Sequence, residues 1–242
     1  MDDTNVRVNS AKAWFLAARP KTLTGAAVPV MIGIACAVAL HGAEVRWVPA
    51  VLCMLFALIM QIDANFVNDY FDFMKGTDDE QRLGPKRACS QGWITAPAMR
   101  SALLLTTAVA CVVGLPLILY GGWEMILVGL ACVVFCFLYT ISLSYMGLGD
   151  VLVLVFFGLV PVSMTYWLVA PASPLLSIPL TVIGLSLACG LVIDTLLVVN
   201  NYRDIDNDRR TGKRTLIVKI GAKNGRSLYL WLGIAACIVN FL

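Results

Sequence analysis

The sequence predicts an all-α fold, a polytopic transmembrane helical bundle that forms a single domain over residues 1–242. Three observations carry this expectation. The chain is 60% hydrophobic and 14% charged, with a mean hydropathy of +0.83, whereas soluble domains carry about 25% charge. Its apolar residues are gathered into runs of about 20, the length a helix needs to cross the hydrocarbon core. The polar connections between those runs are very unequal in their share of positive charge.

The runs cover 22–40, 47–69, 101–119, 123–141, 149–170 and 175–200, and a seventh begins near 227. That last run reaches Leu242 after only 16 residues, so the sequence reads as cut inside helix seven. The connections 41–46, 120–122 and 171–174 are short, 70–100 and 201–226 are long and polar, and 142–148 is short and polar. An alternating topology then places the N-terminus, both long loops and 142–148 on one side. That side holds 17 of the 18 Lys and Arg residues, with only Arg46 opposite. The positive-inside rule makes it the cytoplasmic side of a multi-pass protein of the inner (cytoplasmic) membrane. The N-terminus, with Asp2, Asp3, Asn5 and Arg7, lacks the layout of a cleaved signal peptide.

Composition also removes some chemistries. His41 is the only histidine and lies in a short loop, which argues against a Ser-His-Asp triad or a His-rich zinc site. The eight cysteines include no CxxC pair, and all but Cys89 lie in apolar runs, where cysteine acts as a small hydrophobe. Nothing points to a nucleic-acid partner.

Two polar stretches break the pattern. Residues 67–72 read VNDYFD and 199–204 read VNNYRD, matching at four of six positions. Each ends an apolar run on the basic side. If the helices continue through them, Asn65, Asn68, Asp69 and Asp72 share one face, as do Asn200, Asp204 and Asp208, with Asn201 alongside. Asp78, Asp79 and Glu80 follow the first stretch, and Asp206 adds to the second. Carboxylate and amide oxygens are hard ligands suited to Mg²⁺, which is commonly held by one or two carboxylates plus substrate phosphates. One such cluster reads better as a solvated helix end, but two with matched spacing point to Mg²⁺ carrying a phosphorylated ligand. Arg19, Lys21, Lys75, Arg203, Lys213 and Arg214 are candidate partners for diphosphate, whose charge suits the planar fork of arginine. Basic residues are ordinary in cytoplasmic loops, and that explains most of them. It explains Lys75 and Arg203, interleaved with acids, less well. Asp63 and Asp194 lie inside apolar runs, where a carboxylate is costly. They either support the metal-binding residues from behind or pair with Asn and Thr neighbours.

The run NDYFDFMKGTD, followed by RLGP, resembles the first aspartate-rich motif of the UbiA superfamily of membrane prenyltransferases, and NNYRDIDNDRRTGKRTL resembles the second. With ARPKTL, LYT at 138–140 and GLGD at 147–150, the chain is similar to the branch that prenylates 1,4-dihydroxy-2-naphthoate in menaquinone synthesis. The resemblance implies nine helices around a cavity open to the bilayer, with polyprenyl diphosphate held through Mg²⁺ by both motifs. It implies that Asn68, Asp72, Asp204 and Asp208 form the metal–diphosphate core and that Asn200 and Asp78 match further polar positions. It also implies that Arg203 and Lys213 match basic ones, and that Tyr139 lies near the reacting centre. Two departures stand out. The chain stops in helix seven, and ISLSYM at 141–146 lacks the Gly-Gly-Pro and basic residue often found before GLGD.

The chemistry implied is ionisation of an allylic diphosphate and attack by an electron-rich ring, with loss of CO₂ and no protein nucleophile. The rivals are the same reaction on 4-hydroxybenzoate, homogentisate or a tetrapyrrole, a cation transporter using the intramembrane carboxylates, and a non-catalytic lipid-binding subunit.

Overall fold

The structure is a computed structural model that describes residues 6–77, 83–171 and 177–241. Asp78, Asp79 and Glu80 lie outside the described residues. Among the described residues the α-helices follow in order: α1 (Ala11–Ala18), α2 (Leu23–His41), α3 (Trp47–Met74), α4 (Ala96–Gly114), α5 (Ile118–Gly121), α6 (Glu124–Ile141), α7 (Gly149–Val153), α8 (Val160–Val169), α9 (Leu180–Arg203), α10 (Ile205–Arg210) and α11 (Leu216–Asn240). Among the described residues six helical segments are long and apolar enough to cross a membrane: Ala11–Glu44, Trp47–Met74, Ala96–Gly121, Glu124–Ile141, Gly149–Val169 and Leu180–Arg203. They match the six complete runs of the sequence.

The differences are at the ends. α3 continues past 69 to Met74, because the polar residues of VNDYFD find partners without leaving the helix. α11 is broken at Gly221, whose backbone (φ 80°, ψ 162°) is not helical: a short helical turn from Leu216, capped by Thr215, whose hydroxyl accepts from the Val218 amide, leads into a longer helix that starts after Gly221, ahead of the apolar run at 227. Its first half carries Lys219, Lys223 and Arg226.

Contacts at the helix ends sort the connections into two groups. On one side Asn9 accepts from the Thr95 amide, Lys75 reaches the end of α6, Asn207 reaches Thr77, and the Arg214 amide donates to Tyr145. This joins the N-terminal segment, both long loops and 142–148, as alternation requires. On the other side His41 meets Tyr166 at 3.0 Å, while the Arg46 amide and guanidinium donate to the carbonyls of Val169 and Trp167.

α2, α8 and α9 share a core of Ala37, Val162, Val169 and Val182. A second core joins α1, α3 and α4 to the segment 88–94 through Ala13, Phe66, Ile94 and Met99. Leu105, Val112, Leu119 and Leu127, by contrast, are exposed on the outside, as a lipid-facing surface requires. The segment between α7 and α8, Leu154–Leu159, is π-helical. Pro161 cannot donate to the carbonyl of Phe157 four residues back, and the Cys189 thiol approaches that carbonyl at 3.8 Å instead. Here this segment nearly touches α9: a Cβ on Gly158 would lie 2.6 Å from the Ser186 carbonyl oxygen and 2.7 Å from the Gly190 Cα. Small residues permit such crossings in membranes.

Candidate functional site

The polar stripe of α3 divides into two pairs with different partners. Asn65 donates to the Ala18 carbonyl and the Thr22 hydroxyl, both at 2.9 Å. Asp69, fully buried, accepts from the amides of Ala88 at 2.8 Å and Cys89 at 2.9 Å, with Arg19 at 3.7 Å. This pair anchors the N-terminal segment and the 87–91 turn. Asn68 and Asp72 look elsewhere, because a three-residue step rotates the direction by roughly 60° around a helix. The Asn68 side-chain oxygen accepts from the Thr140 hydroxyl at 2.6 Å. Asp72 has one oxygen 3.5 Å from the Arg87 guanidinium, and its other oxygen is buried with no hydrogen-bond partner.

Lys75 closes this corner against α6. Its ammonium donates to the carbonyls of Thr140 at 3.3 Å and Ile141 at 2.6 Å, satisfying groups left open at a helix end. It also stands 4.0 Å from the centre of the Tyr145 ring, and Lys213 approaches the same ring at 5.5 Å. Burial, with Lys213 adding to it and Asp72 opposing, pulls the Lys75 pKa below the ordinary lysine value.

The second motif sits across from the first. Arg203 ends α9 and grips Asp204 with Nε and a terminal nitrogen, both at 2.8 Å. Asp208 is buried within α10 and accepts from the Thr215 hydroxyl at 3.5 Å, while its carbonyl accepts from the Lys213 amide at 2.8 Å. Asn207 crosses to the first motif, donating to the Thr77 carbonyl at 3.4 Å. Thr77 in turn donates to the Asp72 carbonyl through its amide at 3.0 Å and its hydroxyl at 3.1 Å. Both motifs therefore share one corner on one side of the bundle. Asn200 is exposed, while its neighbour Asn201 lines a small pocket with Tyr139, Ser144, Asp150, Lys213 and Thr215. Lys21 is exposed in the turn Pro20–Thr22.

Among the described residues no group of three or more Asp, Glu, His or Cys side chains lies close enough to form a metal cage. The donor set nonetheless suits an ion completed by phosphate oxygens: acceptor-only carboxylates on α3 and on the α9–α10 segment, which the Asn207–Thr77 hydrogen bond joins, with one buried oxygen of Asp72 unpartnered among the described residues. Asp63 proves to be a packing residue. Its carboxylate accepts from the hydroxyls of Thr106 and Thr107, the latter at 2.9 Å, joining α3 to α4. Asp194, also buried, keeps one oxygen without a partner.

Sequence reasoning passed over Arg87, Ser144 and Asn207. Arg87 is one basic residue in a basic loop, Ser144 lies in a segment read only for what it lacks, and Asn207 matters through a partner 130 residues away.

The model of the UbiA prenyltransferase family matches residues 26–242. The chain is 34% identical to 1,4-dihydroxy-2-naphthoate octaprenyltransferase of Escherichia coli (strain K12), covering 98% of this chain and 79% of that one. It is 36% identical to the protein of that name from Haemophilus influenzae, over 95% and 77% of the two. A UbiA prenyltransferase domain-containing protein 1 homolog of Drosophila melanogaster is 31% identical, over 96% and 64%. A solved structure of digeranylgeranylglyceryl phosphate synthase superposes with a TM-score of 0.61 at 18% identity, covering 94% of this chain and 75% of that one, a likeness of fold. Both aspartate-rich stretches fall within the matched residues, and the chain belongs to the UbiA prenyltransferase family.

Proposed function

We propose that this protein transfers a polyprenyl group from polyprenyl diphosphate to 1,4-dihydroxy-2-naphthoate, releasing diphosphate and CO₂ and forming the demethylmenaquinone skeleton. One observation carries the proposal beyond the relatives' names: the two carboxylate-bearing motifs share a corner through the Asn207–Thr77 contact, with cations interleaved. That arrangement suits a ligand bearing several negative charges together with a divalent ion, and it suits neither partner alone.

In this reading Asn68 and Asp72 from the first motif, and Asn200, Asp204 and Asp208 from the second, hold Mg²⁺ against the diphosphate; Asp78 is a further candidate. Bound there, the ion supplies Lewis acidity to the leaving group. Arg19, Lys21, Lys75, Arg203 and Lys213 are the proposed cationic partners of the phosphate oxygens, and Arg87 joins them through its place beside Asp72. Their charge offsets what develops as the allylic C–O bond breaks and its electron pair leaves with diphosphate. Tyr139 offers an aromatic face to the allylic cation. A ring electron pair forms the new C–C bond, and the carboxylate leaves as CO₂, returning its bonding pair to the ring. The prenyl tail stays in the hydrocarbon. By the positive-inside rule the site opens on the cytoplasmic side of the cell's inner membrane.

Product identification tests this directly. Membranes carrying the protein, supplied with dihydroxynaphthoate and one polyprenyl diphosphate, should yield by mass spectrometry the prenylated, decarboxylated product. A product that keeps its carboxyl group, or turnover only with another aromatic acid, would overturn the assignment.

A further inference from the structure

The pocket beside the two motifs contains groups that the diphosphate chemistry leaves unused. It lies where the end of α6, the 142–148 turn, α7 and the end of α9 come together, and it has room for about one water-sized group. Both carboxylate oxygens of Asp150 are shielded and have no hydrogen-bond partner among the described residues. A second, independent group points the same way: Ser144 is only 4% exposed, and its hydroxyl is also without a partner. Lys213 lines the pocket yet makes no hydrogen bond to Asp150. The Tyr139 ring packs directly on Gly149, where a Cβ would come within 3.3 Å of the ring and 3.7 Å of its hydroxyl oxygen. The glycine thus lets Asp150 stand beside Tyr139.

Shielded carboxylate oxygens without donors are costly and rare. What they lack here is a donor, and the space admits a single polar substituent but no ring system. A phosphate is excluded by size, since the space takes about one water-sized group. A ring hydroxyl of the aromatic acceptor fits: it is a donor of the right size, its ring lying outside the pocket towards the two motifs.

We propose that Asp150, flanked by Ser144 and Tyr139, is the subsite that takes a ring hydroxyl of the acceptor and so orients the ring for attack. This rests on the dihydroxynaphthoate reading above. An O–H···carboxylate hydrogen bond there also pushes electron density into the ring, and the proton stays shared with the hydroxyl oxygen, so the overall balance of the reaction is unchanged.

The test uses the full chain in membranes, with 1,4-dihydroxy-2-naphthoate and a polyprenyl diphosphate varied separately. Asp150→Asn should raise the KM for the naphthoate by about 10- to 100-fold, the range for loss of a hydrogen bond to a charged group. The KM for the prenyl diphosphate should stay within about twofold. Ser144→Ala, which removes one hydroxyl, should raise the naphthoate KM by about 3- to 10-fold, again without moving the donor KM. With 1-hydroxy- and 4-hydroxy-2-naphthoate as competing inhibitors, the unaltered protein should bind one of them at least about tenfold more weakly than the dihydroxy acid. Asp150→Asn should erase that difference. Equal changes in both KM values, or an unchanged naphthoate KM in both variants, would overturn the subsite while leaving the proposed reaction standing. If Asp150→Asn yields no folded protein, Ser144→Ala and the inhibitor series decide alone. Absence of any naphthoate turnover by the unaltered protein would overturn the reaction and the subsite together.

Discussion

Asp69 and Asp72 stand three residues apart on α3, and changing each to asparagine should affect turnover very differently. In Asp69→Asn the side chain keeps its shape but presents an NH₂ group to one of the two amides, Ala88 or Cys89, that now donate to it at 2.8 and 2.9 Å. One buried N–H is left without an acceptor, which costs about 1–3 kcal/mol. Loss of the Arg19 ion pair at 3.7 Å adds up to about 1 kcal/mol, because Arg19 is partly exposed. A destabilisation of about 1–4 kcal/mol follows, with turnover of the folded fraction reduced by less than about tenfold. In Asp72→Asn no backbone amide loses a partner, since one oxygen faces Arg87 at 3.5 Å and the other faces nothing. The charge proposed to hold the ion is gone, however. Turnover of the folded fraction should fall at least about 10²-fold, equivalent to about 2.7 kcal/mol in the barrier, while weakening the buried pair with Arg87 at 3.5 Å costs up to about 3 kcal/mol of stability. Cys36, Cys53, Cys89 and Cys189 are buried, so a fluorogenic thiol reagent reports unfolding of the purified protein in detergent on heating. Radiolabelled prenyl transfer reports turnover. The division of the stripe is refuted if Asp72→Asn keeps more than about a third of its rate, or if Asp69→Asn abolishes turnover without lowering the unfolding temperature.

Asp204→Asn should likewise cut turnover by at least about 10²-fold in the same transfer assay, because it removes the carboxylate held by Arg203 at the second motif; a near-normal rate would count against the metal assignment. Excess chelator should abolish transfer, and added Mg²⁺ or Mn²⁺ should restore it, whereas full turnover in chelator contradicts the ionisation step. Gly158→Val should destabilise the bundle by about 3 kcal/mol or more, read as a fall in unfolding temperature, since even its Cβ would lie 2.6 Å from the Ser186 carbonyl oxygen. An unchanged unfolding temperature would show that α9 can move aside.

The bilayer makes some of this protein legible from its sequence alone. Hydrocarbon demands long apolar helices and tolerates few charges, so six spans, their alternation and the side that holds nearly all the Lys and Arg follow from composition and run length. For the same reason VNDYFD and VNNYRD stood out, and the structure brings both to one corner. What the sequence left open was decided by partners remote along the chain. Periodicity placed Asn65, Asn68, Asp69 and Asp72 on one broad face, but only the arrival of Ala18, Ala88, Thr140 and Arg87 divides that face into anchors and an open carboxylate. Asp63 and Asp194 looked alike, each a lone acid in an apolar run. Asp63 is satisfied by two threonines of α4, while Asp194 retains an oxygen with no partner. Helical periodicity fixes which way a side chain points from its own axis, and nothing local fixes what the packing of other helices brings to meet it.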